Sequence, residues 1–367
     1  MKKILLAAGD PSGDLRGAEL IRALKSRAGA AGLFVSAVGG EKMRGEADEF
    51  LADLASRGIT GFWEPLRHLG YLGGILSRLR EKLGADPPSA VIVIDYYGFN
   101  SRILSLARER GIPSYYYIGP QVWASRPWRA RALKRLVRKM LVIFPFEERF
   151  YAGAGVPARF VGHPLLDSLP DPEAKSAPSH PPLIGLLPGS RPQEISRHLS
   201  LFSAAFRLLR TDHGFEGARG LLFAAPHLPD SAYATALAQE GVELVREADY
   251  ARRRGLDVAL CASGTASLEN ALLGVPMVVA YKLSTLTYLL ARALVTVSHI
   301  AMPNLIAAKS LVPELIQGAA TPEALAREAS AILKRPDYST LRAELAGLRA
   351  ALGEKGASLR AAEEILG

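Results

Sequence analysis

Short runs of uninterrupted apolar residues, each followed by a segment with apolar side chains at helical spacing, recur along this chain and leave few folds open. Lys3 to Ala8, KILLAA, is the first run, and Gly17, Leu20, Ile21, Leu24 and Ala28 follow it on one helical face. Leu33 to Val38, Val91 to Asp95, Ser114 to Ile118 and Met140 to Phe144 read as further strands. A strand with one face in water alternates polar and apolar residues, whereas a run that is apolar throughout needs cover on both faces. The pattern therefore predicts a parallel sheet between helical layers, a Rossmann-like half.

A second series begins at Leu183. Its strand candidates are Leu183 to Leu187, Leu221 to Ala225, Val242 to Val245, Asp257 to Cys261 and Met277 to Tyr281, with helices closing the chain from about Pro322. Between the series, GHPLLDSLPDPEAKSAPSHPP is proline-rich, polar and without period, as a linker is. The expected organisation is a first domain over 1–165, a linker over 166–182 and a second domain over 183–367 that includes the terminal helices. Two such halves create a cleft, and ligands of parallel sheets sit outside the carboxyl ends of the strands.

With 367 residues and 49% hydrophobic content the chain suits two ordinary domains. A single cysteine, Cys261 within the apolar run VALCA, excludes an internal disulfide and fits a reducing compartment and a packed strand position. The start MKKILLAA is too short for a signal peptide and is broken by Gly9-Asp10. The apolar run from Leu283 to Ala291 ends at Arg292, short of the ~18 residues a spanning helix needs. A protein that is soluble or sits on a membrane is expected. The net charge of +9 suits anionic lipid, phosphorylated substrates or a generic basic surface. No recognition-helix pattern, zinc spacing or basic and aromatic stripe favours nucleic acid.

Four motifs directly follow strands. Gly9-Asp10-Pro11-Ser12-Gly13-Asp14 offers glycines and a helix start to an anion, or its two carboxylates simply cap that helix. Asp95-Tyr96-Tyr97-Gly98-Phe99-Asn100 places a carboxylate at a strand end, as a base or orienter, or as an acceptor for loop amides. Leu186 to Glu194, LLPGSRPQE, is predicted to close a strand, turn, and open a helix whose N-terminus grips a diphosphate. Ser190 and Gln193 have capping-box spacing there, and Arg191 adds a planar donor fork. Ala262 to Glu269, ASGTASLE, repeats the theme, with Glu269 able to accept from ribose hydroxyls or to pair with the helix dipole.

Taken in order along the chain, these motifs resemble the lipid A disaccharide synthases, inverting glycosyltransferases of the two-Rossmann GT-B fold. GDPSGD is similar to the family's Gly-Glu-x-Ser-Gly-Asp, and Gly39-Gly40-Glu41-Lys42-Met43 to its Gly-Gly-x-x-Met. Tyr117 to Ala124 ends in the family's Val-Trp-Ala; Phe144-Pro145-Phe146-Glu147 and Phe160-Val161-Gly162-His163-Pro164 follow in family order. LLPGSR with Glu194, ASGTASLE, Pro276 to Tyr281 and Met302-Pro303-Asn304-Leu305-Ile306-Ala307 complete the set.

The resemblance implies an α/β chain of GT-B type that moves 2,3-diacylglucosamine from UDP to the 6-hydroxyl of 2,3-diacylglucosamine 1-phosphate, forming a β-1,6 disaccharide. It implies UDP contacts from Gly189, Ser190, Arg191, Glu194, Ser263, Gly264, Thr265, Glu269 and Asn304. No cofactor is implied, and with no Asp-x-Asp in the chain no metal is expected. The family's Asp-x-x-Asp-Phe-Asn, whose second Asp is the leading base candidate, reads here with Gly98 at that place, and its first-loop Glu is Asp10. Asp14 or Asp10 is then the expected base, with Asp95 orienting. Lipid substrates also suggest a cytoplasmic protein peripheral on the inner face of the inner membrane. Leu66 to Leu83 would be its interfacial segment, and Arg126 to Lys139 would face headgroups or the acceptor phosphate. An oligomer is compatible. Two other readings stay open: a UDP-sugar enzyme of the same fold with another acceptor or an epimerase activity, and a non-catalytic UDP-sugar- or lipid-binding relative.

Overall fold

The computed structural model describes residues 1–55, 68–226, 228–246, 249–284, 288, 292, 295 and 297–367. Leu66 and Arg67 of the expected interfacial segment, and most of the Leu283–Ala291 run, lie outside the described residues. The chain divides into two compact units, Met1–Asp167 with Leu352–Gly367, and Ser168–Ala351.

The first unit holds seven parallel strands: β1 (Lys2–Ala8), β2 (Leu33–Gly39), β3 (Glu49–Asp53), β4 (Ala90–Ile94), β5 (Ser114–Tyr117), β6 (Lys139–Val142) and β7 (Ala158–Phe160). Their order is β3-β2-β1-β4-β5-β6-β7. The second holds β8 (Leu183–Leu187), β9 (Arg219–Phe223), β10 (Val242–Val245), β11 (Val258–Ala262), β12 (Met277–Tyr281) and β13 (Glu314–Ile316), ordered β10-β9-β8-β11-β12-β13 and again all parallel. Both units have the expected α/β class, and every strand candidate named above falls on a strand. β3, β7 and β13 were not expected. Each is an edge strand without a fully buried residue, so it carries no continuous apolar run.

Central strands are buried on both faces; Val91, Ile92, Val93 and Leu260 are fully enclosed. Cys261 is enclosed too, and burial pushes its thiol up to about 12, the behaviour of an inert packed side chain.

The segment read as a linker is not free coil. Buried Asp257 accepts from Lys175 Nζ at 2.7 Å, the Ser179 amide at 3.0 Å and the Leu183 amide at 2.7 Å, pinning 175–183 to the second unit. The end of the chain also differs from the expected division, because Leu352–Gly367 joins the first unit. Its helix Ala357–Leu366 packs on the helix Pro11–Ala28, Lys139 pairs with Glu364 at 2.8 Å, and Arg360 donates to the Val161 carbonyl at 2.8 Å.

Candidate functional site

In each unit the strand order reverses once, between β1 and β4 and between β8 and β11, and loops diverging from such a switch point leave room for a ligand. All four motifs lie there. In the first unit Ala8 pairs with Ile94, so Gly9-Asp10 and Asp95-Tyr96 leave the sheet side by side. Tyr96 adopts a left-handed backbone (φ 48°), and a Cβ on Gly9 would lie 2.1 Å from Tyr96 Cδ1. The ring therefore rests on bare backbone, which is why residue 9 has no side chain.

Asp10 caps the helix Pro11–Ala28: its Oδ1 accepts the Gly13 amide at 2.6 Å, and Pro11 has no amide to satisfy. The side chain is half-buried, and among the described residues no bond engages its second oxygen. Asp14 differs. It is buried, and its carboxylate accepts from the amides of Gly40 (2.7 Å), Lys42 (3.0 Å) and Met43 (3.0 Å). It thus caps the helix Glu41–Glu46, whose own N-cap, Gly40, has no side chain. A carboxylate so occupied suits a clasp better than a group that takes a substrate proton.

Asp95 also has a left-handed backbone (φ 42°), and its carbonyl accepts from Asn100 Nδ2 at 2.7 Å and from the Tyr116 hydroxyl. Gly98, in the first turn of the helix Tyr97–Arg108, is exposed, and a Cβ there would meet nothing within 4 Å. The loops after β5, β6 and β7 bring a further group together that the motifs did not single out as a site. Buried Glu147 accepts from Trp123 Nε1 (2.9 Å) and the amides of Ile143 (3.2 Å) and Phe144 (3.0 Å). Burial outweighs these donors and pushes its carboxyl up to about 7. His163 stacks obliquely on Phe144, its rings 5.2 Å apart, and burial lowers it to about 3.

In the second unit Leu187 pairs with Cys261, placing Pro188–Arg191 beside Ser263–Thr265. Gly189 has φ 114°, and a Cβ there would lie 2.6 Å from Glu194 Oε2. That oxygen accepts the amides of Ser190 (2.9 Å) and Arg191 (3.2 Å), while Glu194 Oε1 lies 3.5 Å from the exposed Arg191 guanidinium. The capping box therefore sits one residue later than its sequence spacing suggested: Arg191, not Ser190, is the N-cap, and Glu194, not Gln193, closes it. His198, one turn on, shares a 2.9 Å bond with the Glu194 carbonyl, and its Nε2 accepts the Lys282 amide at 3.3 Å. The Nδ1–H tautomer satisfies both.

Gly264 (φ 152°) starts the helix Thr265–Leu272, with Gly264 and Thr265 exposed; Ser263 Oγ donates to the Ile300 carbonyl at 3.4 Å. Two expected nucleotide contacts are engaged elsewhere. Glu269 accepts from Tyr250 Oη at 3.0 Å and from Arg253, whose guanidinium lies 5.1 Å from the rings of Phe223 and Tyr250. Asn304 is buried with every polar atom used: Nδ2 donates to the Val312 carbonyl (2.9 Å) and Glu314 (2.7 Å), and Oδ1 accepts from Leu311 and Val312. Asn304 here locks the loop before β13. Among the described residues no His, Cys, Asp and Glu cluster has the geometry to hold a metal.

Two all-parallel α/β units, each with paired loops at its switch point, define a protein of the GT-B class. The sequence profile of the lipid-A-disaccharide synthetase family matches residues 4–360. A lipid-A-disaccharide synthase of Trichlorobacter lovleyi is 40% identical over 100% of this chain and 97% of its own, and one of Syntrophus aciditrophicus is 40% identical over 98% and 96%. Among solved structures, a putative UDP-N-acetylglucosamine 2-epimerase from Listeria monocytogenes (TM-score 0.65, 14% identity, 100% of this chain and 95% of that one) shares the fold. So does MurG of Acinetobacter baumannii (TM-score 0.61, 14% identity, 100% and 99%). The chain belongs to the lipid-A-disaccharide synthase family, and it is a glycosyltransferase.

Proposed function

We propose that the protein transfers 2,3-diacylglucosamine from UDP to the 6-hydroxyl of 2,3-diacylglucosamine 1-phosphate, releasing UDP. The observation that carries the donor half is the pair of helix starts at the second unit's switch point. Gly264 leaves backbone open to close approach, Gly189 makes room for the Glu194 carboxylate that shapes the turn, and both helix N-termini favour negative charge. Arg191, exposed at the first of them, is the fork for the diphosphate, and Ser190, Ser263 and Thr265 supply hydroxyls beside it. Glu194 holds the Gly189–Arg191 backbone in shape, and Glu269 and Asn304 position neighbouring loops.

Inverting transfer needs a base on the acceptor hydroxyl and stabilisation of the departing diphosphate. Asp10 is the proposed base, because its side chain is only half-buried and its second oxygen accepts no hydrogen bond among the described residues. Asp95 orients the loop beside it, and Asp14 fixes the neighbouring loop without touching substrate. We also place the first unit against an anionic membrane surface: the helix Leu69–Ala85 exposes Leu69, Arg78 and Arg80, and among the described residues no helix is long and apolar enough to cross a membrane.

The test is direct. Purified full-length protein in detergent, given UDP-2,3-diacylglucosamine and the acylated monosaccharide phosphate, should release UDP and form disaccharide. No disaccharide, beside an active control enzyme, would overturn the reading.

A further inference from the structure

One cluster in the first unit is absorbed by none of these roles. From Arg126 to Lys139 the chain carries seven basic residues and no acidic one. Most of their side chains are exposed, but Arg126 and Arg129 are half-buried and belong to one turn, the Arg129 amide donating to the Arg126 carbonyl at 3.0 Å. The Arg129 guanidinium lies over the Tyr97 ring, 4.7 Å from its centroid, and forms no ion pair among the described residues. Tyr97 begins the helix Tyr97–Arg108, directly before Gly98 and two residues after Asp95, at the switch point. Burial, and after it the charge of Arg129, makes the protonated form of Arg126 harder to hold.

Two neighbouring guanidiniums repel each other, and an anion that both can reach removes that penalty. The helix N-terminus at Tyr97 favours the same sign of charge. An aromatic face fixes a guanidinium's plane while leaving its edge free, and the fork edge matches two oxygens of a phosphate. At residue 98 a carboxylate would compete for this place, but the chain has glycine there.

We propose that Arg129, held on Tyr97 and assisted by Arg126, binds the phosphate monoester of the sugar acceptor and selects phosphorylated over unphosphorylated acceptors. This rests on the transfer reading above for the identity of the ligand. Arg129 is a specificity residue of the first unit, and the proposed diphosphate site belongs to the second.

The experiment compares diacylglucosamine 1-phosphate with the same sugar lacking its phosphate, in neutral detergent without anionic lipid. Equilibrium binding and acceptor KM are both read, on the full chain and on Arg129→Ala, Arg129→Lys and Arg131→Ala. Wild type should prefer the phosphorylated acceptor, and Arg129→Ala should weaken that acceptor roughly 10- to 100-fold while leaving the other and UDP unchanged. Arg129→Lys, which keeps the charge and loses the fork, should fall between. Arg131→Ala removes an equal charge from an exposed neighbour and should change neither acceptor. Equal loss on both acceptors, or no loss on either, would overturn the proposal. If selective binding holds but no disaccharide forms, the transfer reading fails and the phosphate site stands.

Discussion

Asp14 Oδ1 accepts the Gly40 amide at 2.7 Å, tying the helix that follows β1 to the loop that follows β2. A Cβ on Gly40 would lie 2.7 Å from the other Asp14 oxygen, so the contact tolerates no side chain at residue 40. Removing the carboxylate orphans three amides, two of them buried. Each buried orphan costs ~1–3 kcal/mol, so Asp14→Ala should lose about 3 kcal/mol of stability, and Asp14→Asn, with one acceptor oxygen left, less. Urea unfolding of the full chain checks the order of the two. An Asp14→Ala protein as stable as wild type would remove the clasp from the account.

Arg191 makes a different kind of prediction, because its guanidinium is exposed and its one ion pair among the described residues, to Glu194, is loose at 3.5 Å. Its loss should leave stability nearly unchanged. If it grips the diphosphate, Arg191→Ala should lose ~1.5–3 kcal/mol of UDP affinity, a charged hydrogen bond's share. Calorimetric titration with UDP reads this without any turnover. Unchanged affinity would place the diphosphate elsewhere.

Much of this was legible in the sequence, and what was not has physical causes. Central strands announce themselves because both faces are buried; β3, β7 and β13 do not, since none of their residues is fully buried. Strand-end motifs found all four switch-point loops, because glycine and short polar residues must gather where a strand turns into a helix. Side-chain engagement was the illegible part. Local spacing suggested Ser190 as N-cap, yet the turn starts one residue later, at Arg191 before Pro192. Asn304 was expected on the nucleotide, but its partners lie seven to ten residues on, at Leu311, Val312 and Glu314. The rest of Tyr96 on Gly9 joins residues far apart in the sequence, beyond the reach of local spacing.

Gly98 tests the base directly. A Cβ there meets nothing within 4 Å, so Gly98→Asp should fold. A carboxylate in the first turn of the helix Tyr97–Arg108 also suits the dipole by ~0.3–1 kcal/mol. The native chain, for which Asp10 is the proposed base, lacks the carboxylate that the family pattern puts at this place. Gly98→Asp should therefore raise kcat and make activity less sensitive to Asp10→Asn. Steady-state rates of the two single variants and the double variant decide it; a Gly98→Asp enzyme that still dies completely with Asp10→Asn would show that residue 98 cannot take over the proton.

Glu147 predicts a pH dependence of stability with an unusual sign. Burial raises its carboxyl from the ordinary 4.5 to about 7. The folded state then holds a proton that the unfolded chain has released, so stability falls as pH rises across that window. The contribution is complete below about 4.5 and is lost as pH climbs through about 7. His163 works in the opposite sense: lowered to about 3, it costs stability as pH falls below the ordinary 6.5. The two nearly cancel in wild type between these values, which hides both. Glu147→Gln removes one side of the balance. Relative to wild type, the variant should gain about 3 kcal/mol between pH 4.5 and pH 7, at ~1.4 kcal/mol for each pKa unit. Denaturant midpoints measured across pH 4 to 8 would show the two curves converging toward acid and separating toward neutrality. Parallel curves would mean that the three donors on Glu147 hold it ionised despite its burial.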